Sequence, residues 1–493
     1  MKRASATLKV MDRRLCAAIL CLVVLLMLPS FCCAEEPAGN LPQLSTETIP
    51  LRPTILTLTG AIELARRNYP AIRTSQLRAD AQREGIKQAK IAYLPAVALL
   101  LDENYGTANN VTGFLAPQLV VPNISGLVKN KNNFLGGFGF TTGALISWEP
   151  LDFGLRKAQV NTARSATTQA QSQVAVTQLQ VMTTAADAFL QALAARQAVR
   201  AAQAQVDRWN VFYETVHVLA QRELKALTDE YLAQAELVRA KDQLIAANQN
   251  YKIAIATLIE SVGIDAESVE LEPGNLLAEL PESHFSVANF SLHPQAMAQK
   301  ATIELAQAKN QALDRTFYPR LFLRVPLYAR GTSFEPDLSL NFGRGYYPTT
   351  FNYAISALVT FNPTDIFLLR SQRRAELKTI SAEQSRYEEI MLNLKAQDAR
   401  ARAFIEGAVL TAQNAPIKVH ASTEAANSAR IRYQHQLASI NDVAQNEQLL
   451  TQSQVEYATA QLQVWRALLA AAVARGDLTP FVQQVSRVNK ERR

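Results

Sequence analysis

The sequence predicts a mostly α chain with a transmembrane β-barrel part. It is built as two structural repeats, with long α-helical hairpins (an α-barrel) plus four β-strands per chain and a barrel closed by trimerisation. Three observations carry this reading. The chain from 155 to 262, between Gly154 and Gly263, has not one glycine or proline. A second stretch with nearly the same punctuation begins at Pro363. Ahead of each stretch the hydrophobic period changes from that of a helix to two, the period of a strand. Helix of such length, at about 1.5 Å per residue, exceeds the width of a globular domain, so it folds back or spans a gap.

The bulk numbers narrow the partners. The chain has 493 residues, of which 19% are charged, and a net charge of +7. Its start, 1–34, carries Lys2, Arg3, Lys9, Arg13 and Arg14 against Asp12, so +4 of that charge sits there and +3 remains for the rest. So small a surplus gives no support to nucleic-acid binding. The same segment joins a basic start to an apolar stretch, Leu15 to Leu28, and to Cys32 and Ala34 at the positions a signal peptidase requires, which predicts a secretory leader ending at Ala34. A lipid-modified Cys32 or Cys33 is the rival reading, which Pro29 and Phe31 fit poorly. All four cysteines (Cys16, Cys21, Cys32, Cys33) lie in this leader, so no disulfide is expected in the processed chain. No later apolar run reaches the roughly 18 residues of a membrane-spanning helix, and any membrane role falls to strands.

The repeat is visible as fixed spacings. Tyr69-Pro70 is followed by Tyr93-Leu94-Pro95, and His293-Pro294 by Phe317-Tyr318-Pro319, so that Pro70 to Pro95 and Pro294 to Pro319 are equal intervals. Trp148-Glu149-Pro150-Leu151-Asp152 corresponds to Phe361-Asn362-Pro363-Thr364-Asp365, and the offset between these two motifs also separates Asp229 from Asp442. Proline suits the first turn of a helix and holds the preceding residue extended, so Pro95, Pro150, Pro319 and Pro363 mark helix–strand junctions. The organisation expected is a leader (1–34), a first repeat (35–262), a linker (263–292), a second repeat (293–475) and a tail (476–493). Within the repeats, strand pairs fall at about 96–149 and 320–362, and helical hairpins at 151–262 and 364–475. Gly407 and Pro416 interrupt the pattern of the second long helix, and Pro416 is read either as a kink or local break or as a mere irregularity.

Within the strand segments one face is apolar. Phe138, Phe140, Thr142, Ala144, Ile146 and Trp148 alternate with Gly139, Thr141, Gly143, Leu145, Ser147 and Glu149; in the second copy Phe351, Tyr353, Ile355, Ala357, Val359 and Phe361 form the apolar set. The preceding strands, Val97 to Leu101 and Leu321 to Leu327, alternate less cleanly, and Pro326 is awkward inside a strand. Strands of about 9–11 residues with this alternation suit a membrane barrel. Four strands close no useful barrel and open edges are not tolerated in lipid; three chains would supply twelve strands, within the range of outer-membrane barrels.

These residues carry a likeness. The chain resembles the TolC-like outer-membrane efflux proteins over nearly its whole processed length, through Leu56-Thr57-Leu58-Thr59-Gly60-Ala61-Ile62-Glu63-Leu64-Ala65 with Asn68 and Pro70, through Tyr93-Leu94-Pro95, and through Arg432-Tyr433 to Asp442-Val443. The resemblance implies a homotrimer in the cell outer membrane of a Gram-negative-type bacterium, with a helical tunnel reaching into the periplasm. The equal spans from Pro150 to Asp229 and from Pro363 to Asp442 would each reach about 118 Å as helix. It further implies a passive exit duct in a tripartite efflux or type I secretion system, fed by an inner-membrane transporter through a periplasmic adaptor protein, with outer-membrane lipid around it. No enzymatic activity and no cofactor are expected. The alternative is a periplasmic coiled-coil adaptor or scaffold.

By the same likeness Asp442 occupies a constriction at the periplasmic entrance, Asp229 the neighbouring tip, and Tyr433 an aromatic position that holds the closed state. Departures are Gln445 where a second acid stands, Ala438 where a basic partner of Asp229 stands, and Gln436 where a turn glycine is usual. Helix capping is the competing role for both aspartates. The five histidines (His217, His284, His293, His420, His435) show no metal-ligand spacing, and Gly136-Gly137-Phe138-Gly139 reads as a strand entry rather than a phosphate loop. Gly106 to Leu135 reads as a long surface loop.

Overall fold

A computed structural model describes residues 54–107, 134–277, 280–281, 289–335 and 339–490. The leader with its cysteines and most of the expected surface loop, residues 108–133, lie outside them. The chain opens with β1 (Thr54–Leu56), α1 (Leu58–Asn68), α2 (Pro70–Ile91), β2 (Ala96–Thr107), β3 (Gly136–Leu151), α3 (Leu155–Gln221) and α4 (Leu227–Val262). It continues through β4 (Val269–Leu271), α5 (Pro294–Thr316), β5 (Arg320–Thr332), β6 (Thr350–Tyr353), β7 (Ser356–Thr360), α6 (Asp365–Gln434), α7 (Ile440–Arg475) and α8 (Thr479–Lys490).

Pro70 and Pro294 stand in the first turns of α2 and α5, where a missing N–H costs nothing. The long helices α3 and α6 have 67 and 70 residues, about 100 Å each. This is shorter than the proline spacing alone implies, because α3 starts only after Gly154 and both helices end before the tip turns. No break occurs at Gly407 or Pro416: α6 runs through both. Ala412 and Ala415, buried in the same core as α7, hold the helix while Pro416 forfeits a single backbone bond.

Helices α4 and α7 end on glycines in the left-handed region, Gly263 (φ 71°) and Gly476 (φ 78°). Each abuts the start of a short helix: a Cβ on Gly263 would lie 3.2 Å from Tyr69 Cα, and one on Gly476 would lie 2.6 Å from Pro294 Cδ. Only glycine meets both the backbone conformation and the close approach. Thus α2 stacks on the end of α4, and α5 on the end of α7.

The second joint carries a titratable cap. His293 is buried, its Nδ1 accepts the Gln295 N–H (3.1 Å), and its Nε2–H therefore donates to the Val473 carbonyl (3.1 Å). Burial, only partly offset by the Val473 bond, pushes its pKa below the usual histidine value. The unfolded chain then takes up the proton first, so this contribution is complete above about pH 6.5 and is lost as pH falls below it. Thermal unfolding at pH 7.5 and pH 5 is expected to show lower stability at pH 5. His293→Asn, which keeps an N-cap acceptor, is expected to flatten that part of the profile.

A belt packs around the middle of the long helices. The parallel pair β1–β4, helix α1, the Ala185–Leu193 stretch of α3 and the Ala460–Ala471 stretch of α7 share one core, together with α8. Trp465 is fully buried there and its Nε1 donates to Leu276 O (3.1 Å), while Arg196 Nη1 donates to Leu271 O (2.6 Å). The C-terminal segment expected as a tail contributes Phe481 and Val485 to this core.

Apart from the β1–β4 pair, the strands form one sheet in the order β2-β3-β5-β6, with β7 also paired to β5. It is four strands wide, since β6 and β7 follow one another along β5 where the sequence reads as one continuous strand. Pro326 explains the interruption. Its carbonyl accepts the Ala354 N–H (3.1 Å), but it has no N–H to return the bond, and the ladder lapses at Ala354–Ile355. Pro150 acts similarly in β3, where the register against β5 shifts between Trp148 and Leu151. Pro95 and Pro319 immediately precede β2 and β5, and Pro363 lies just before α6.

Register decides which residues share a face. Val97 lies opposite Ile146, Leu99 opposite Ala144, Ile146 opposite Val325, Trp148 opposite Leu323, and Leu323 opposite Ala357. One face is therefore apolar across all four strands. The other face carries Asp102, Asn104, Arg320, Arg324, Arg330 and Glu149 by alternation. Glu149 is buried at the foot of the sheet, where it accepts from Arg156 Nη2 (2.9 Å) on α3 and from Arg320 Nη2 (2.7 Å) on β5.

Candidate functional site at the helical tips

Far from the sheet the long helices reverse through two short turns, residues 222–226 between α3 and α4 and residues 435–439 between α6 and α7. Glu223 (φ 59°) and Gln436 (φ 62°), at equivalent positions of the two repeats, both adopt the left-handed conformation that completes a helix end. The glycine absent at Gln436 is thus replaced by a residue held in a strained conformation. Leu224 and Leu437, again an equivalent pair, are both exposed at these turns.

Asp229 and Asp442 are each the third residue of the helix that follows the turn, yet their chemistry differs. Ser439 caps α7: its Oγ accepts the Asp442 N–H (3.2 Å), and Asp442 Oδ2 accepts from the Ser439 N–H and hydroxyl, both at 2.8 Å. This is a capping box with aspartate at its third position. The two bonds from Ser439, with the nearby Arg432 guanidinium, hold the Asp442 carboxyl below the usual carboxylate range. It stays exposed and charged at the tip.

In the first repeat the residue matching Ser439 is Ala226, which has no hydroxyl to cap with. The carboxylate of Asp229 instead accepts the Tyr433 hydroxyl at 2.9 Å, joining α4 to α6. Tyr433 is 1% exposed. Burial, with the adjoining Asp229 carboxylate, raises its pKa, so the phenol remains a donor. Lys225 Nζ lies 4.2 Å from the Tyr433 ring centroid and donates to the Tyr433 carbonyl (3.3 Å). The cation at this junction therefore comes from the first tip, and Ala438 supplies none. Gln445 lies one turn into α7.

Sequence reasoning missed the group beneath the tips. Glu447 on α7, 3% exposed, accepts from Arg208 Nε on α3 at 2.8 Å and lies 2.9 Å from Arg430 Nε on α6, a charge contact rather than an aligned hydrogen bond. Trp209, Phe212, Tyr433, Ile440 and Val443 form the apolar cluster beside it. Among the described residues no group of three or more His, Cys, Asp or Glu side chains could hold a metal ion, and no helix is long and apolar enough to cross a membrane.

The fold thus joins long helical hairpins, ending in narrow tips at one end, to a sheet with one apolar face at the other. Residues 61–264 match the family model described as outer membrane efflux protein, so the resemblance read from the sequence stands. The fold is similar to that of the Campylobacter jejuni CmeC outer membrane channel (TM-score 0.68, 13% identity, covering 88% of this chain and 89% of that one). It is likewise similar to the Neisseria gonorrhoeae MtrE outer membrane channel in its open state (TM-score 0.65, 17% identity, 85% and 89% covered) and to CusC (TM-score 0.69, 13% identity, 85% and 92% covered). No curated protein matches by sequence.

Proposed function

We propose that three copies of this chain form a passive exit duct in the outer membrane, receiving cargo from an inner-membrane transporter through a periplasmic adaptor protein. The observation that carries the reading is the apolar face shared by all four strands. Val97, Leu101, Tyr353 and Val359 on it are each more than 60% exposed in the isolated subunit, which is far more apolar surface than a soluble sheet leaves uncovered. Strands β2 and β6–β7 form the two edges, and lipid tolerates neither. Joining the edges of three subunits gives twelve strands, an even number within the range of outer-membrane barrels.

The tips then gate the duct. Three Asp442 carboxylates around the axis favour cations at the mouth, and the Tyr433–Asp229 bond ties the two hairpins of each subunit in the less open arrangement. Exposed Leu224 and Leu437 provide the apolar rim on which an adaptor docks. Energy comes from the partner pump, and conduction follows the balance between tied and released tips.

Recording in planar lipid bilayers tests this. Asp442→Ala is expected to reduce cation preference, whereas Ser439→Ala, which removes the cap but keeps the carboxylate, is expected to retain it. Tyr433→Phe is expected to raise the conducting fraction without changing selectivity. Unaltered ion preference in Asp442→Ala would remove Asp442 from the conducting path, and a chain that forms no channels would end the duct reading.

A further inference from the structure

We infer that the outer surface of the helical wall, directly below the sheet, carries a binding groove for the phosphate headgroup of an anionic phospholipid. This inference rests on the membrane placement proposed above. The groove has a volume of about 880 Å³ and lies between the start of α3, the end of α5 and the start of α6. Lys157, Arg315 and Arg370 line it. Among the described residues none of the three has a carboxylate within ion-pairing distance, whereas Arg373 is matched by Asp314 at 3.1 Å. Asp314 and Arg373 line the groove as a matched pair and Arg315 lies over the Tyr318 ring at 5.7 Å, so three cations without a carboxylate partner share one concavity, which favours an anion there.

Its side of the wall follows from helix geometry. Helices α2, α3, α5 and α6 stand side by side in that order, and a second groove, about 1180 Å³, is lined by all four and so opens on their concave face. Lys157 and Gln173 line different grooves on one helix, and the step between them along the chain is the same as that from Gln299 to Arg315 and from Arg370 to Arg386. A step of this length turns a helix by about four full turns plus about 160°, so the basic groove opens on the opposite, outward face.

Its height follows from the chain. Phe153 comes just after β3 and Tyr318 just before β5; they stack at 5.8 Å on the groove wall and remain partly exposed. Phe317, also lining the groove, packs on Phe361 at 5.5 Å. Phe361 shares the apolar strand face with Val359 by alternation, so groove and lipid-facing surface are continuous. Aromatic side chains with basic groups at the edge of an apolar band are the arrangement that meets headgroups. A phospholipid seated here places its phosphate among Lys157, Arg315 and Arg370 and its acyl chains along the sheet.

The test uses the full chain purified in detergent and titrated with phosphatidylglycerol or with phosphatidylcholine of the same acyl chains, bound lipid being counted by native mass spectrometry. The expected result is preferential retention of phosphatidylglycerol. The triple variant Lys157→Gln/Arg315→Gln/Arg370→Gln is expected to bind it about a hundredfold more weakly. Arg386→Gln, on the other face, is expected to bind as the wild type does, with the assembly mass in the same spectra reporting that each variant is folded. Equal retention of both lipids, an unchanged triple variant, or displacement of phosphatidylglycerol by an equal concentration of inorganic phosphate would each overturn the inference. A chain that stays in solution without detergent would defeat the membrane reading itself, whereas a detergent-dependent assembly lacking lipid preference defeats only this groove.

Discussion

Glu447→Ala is expected to cost about 3–5 kcal/mol of stability, the range found when one partner of a buried ion pair is removed. The carboxylate holds Arg208 of α3 at 2.8 Å and Arg430 of α6 at 2.9 Å from its own helix, α7. Removing it leaves two guanidinium groups facing each other beside an apolar cluster, with neither charge compensated. The effect reaches function through position, because Tyr433, which ties α6 to Asp229, belongs to that cluster. Thermal unfolding followed by circular dichroism measures the loss. Glu447→Gln, which preserves the shape but not the charge, is expected to fall between Ala and the wild type. A melting temperature unchanged in both variants would show that the three helices are held by apolar packing alone.

Val325→Arg is expected to destabilise the membrane-inserted state by about 2–4 kcal/mol, the cost of a cation on the lipid face near the bilayer midplane. Val325 is near the middle of β5 and opposite Ile146, on the apolar face. Arg324, one residue earlier, is on the polar face and opposite Ser147, so Arg324→Val is expected to leave insertion intact. The two variants make opposite exchanges of valine and arginine at adjacent positions on opposite faces, which makes the comparison specific to the orientation of the sheet. Membrane fractionation and denaturant titration in lipid vesicles report both variants. Equal tolerance of the two would place water on both faces.

Periodicity made much of this legible. Strand alternation identified the apolar faces, and Pro95, Pro319 and Pro363 stand beside element boundaries whereas Pro150 falls inside β3; both signals depend on local backbone rules. The aspartates are partly legible: Ser439-Ile440-Asn441-Asp442 has the spacing of a capping box, and the constant offset between the repeats places Ala226, which cannot cap, ahead of Asp229. What Asp229 does with its freed carboxylate was not legible, since its partner Tyr433 lies 204 residues away. Glu447 looks like any helical acid until three helices converge on it. Pro416 is tolerated because tertiary packing overrides its local preference, and Pro326 breaks the neighbouring strand rather than its own, which single-strand reasoning does not reach. Helix α8 had a readable start at Thr479-Pro480 and spaced Phe481, Val482 and Val485, a short amphipathic signal overlooked beside the long helices.

Cross-linking between the two edges of the sheet addresses the proposed barrel most directly. Within one subunit β2 and β7 are separated by β3 and β5, about 14 Å at the usual strand spacing, and the chain has no cysteine beyond Cys33. Cysteines introduced at Val97, Leu99 or Leu101 on β2, each combined with Val359→Cys on β7, and treated in membranes with a short thiol cross-linker, are expected to give for at least one pair a ladder of covalent species that stops at three chains. Monomers alone in every pair, or a ladder running past three, would contradict closure of the sheet by three subunits.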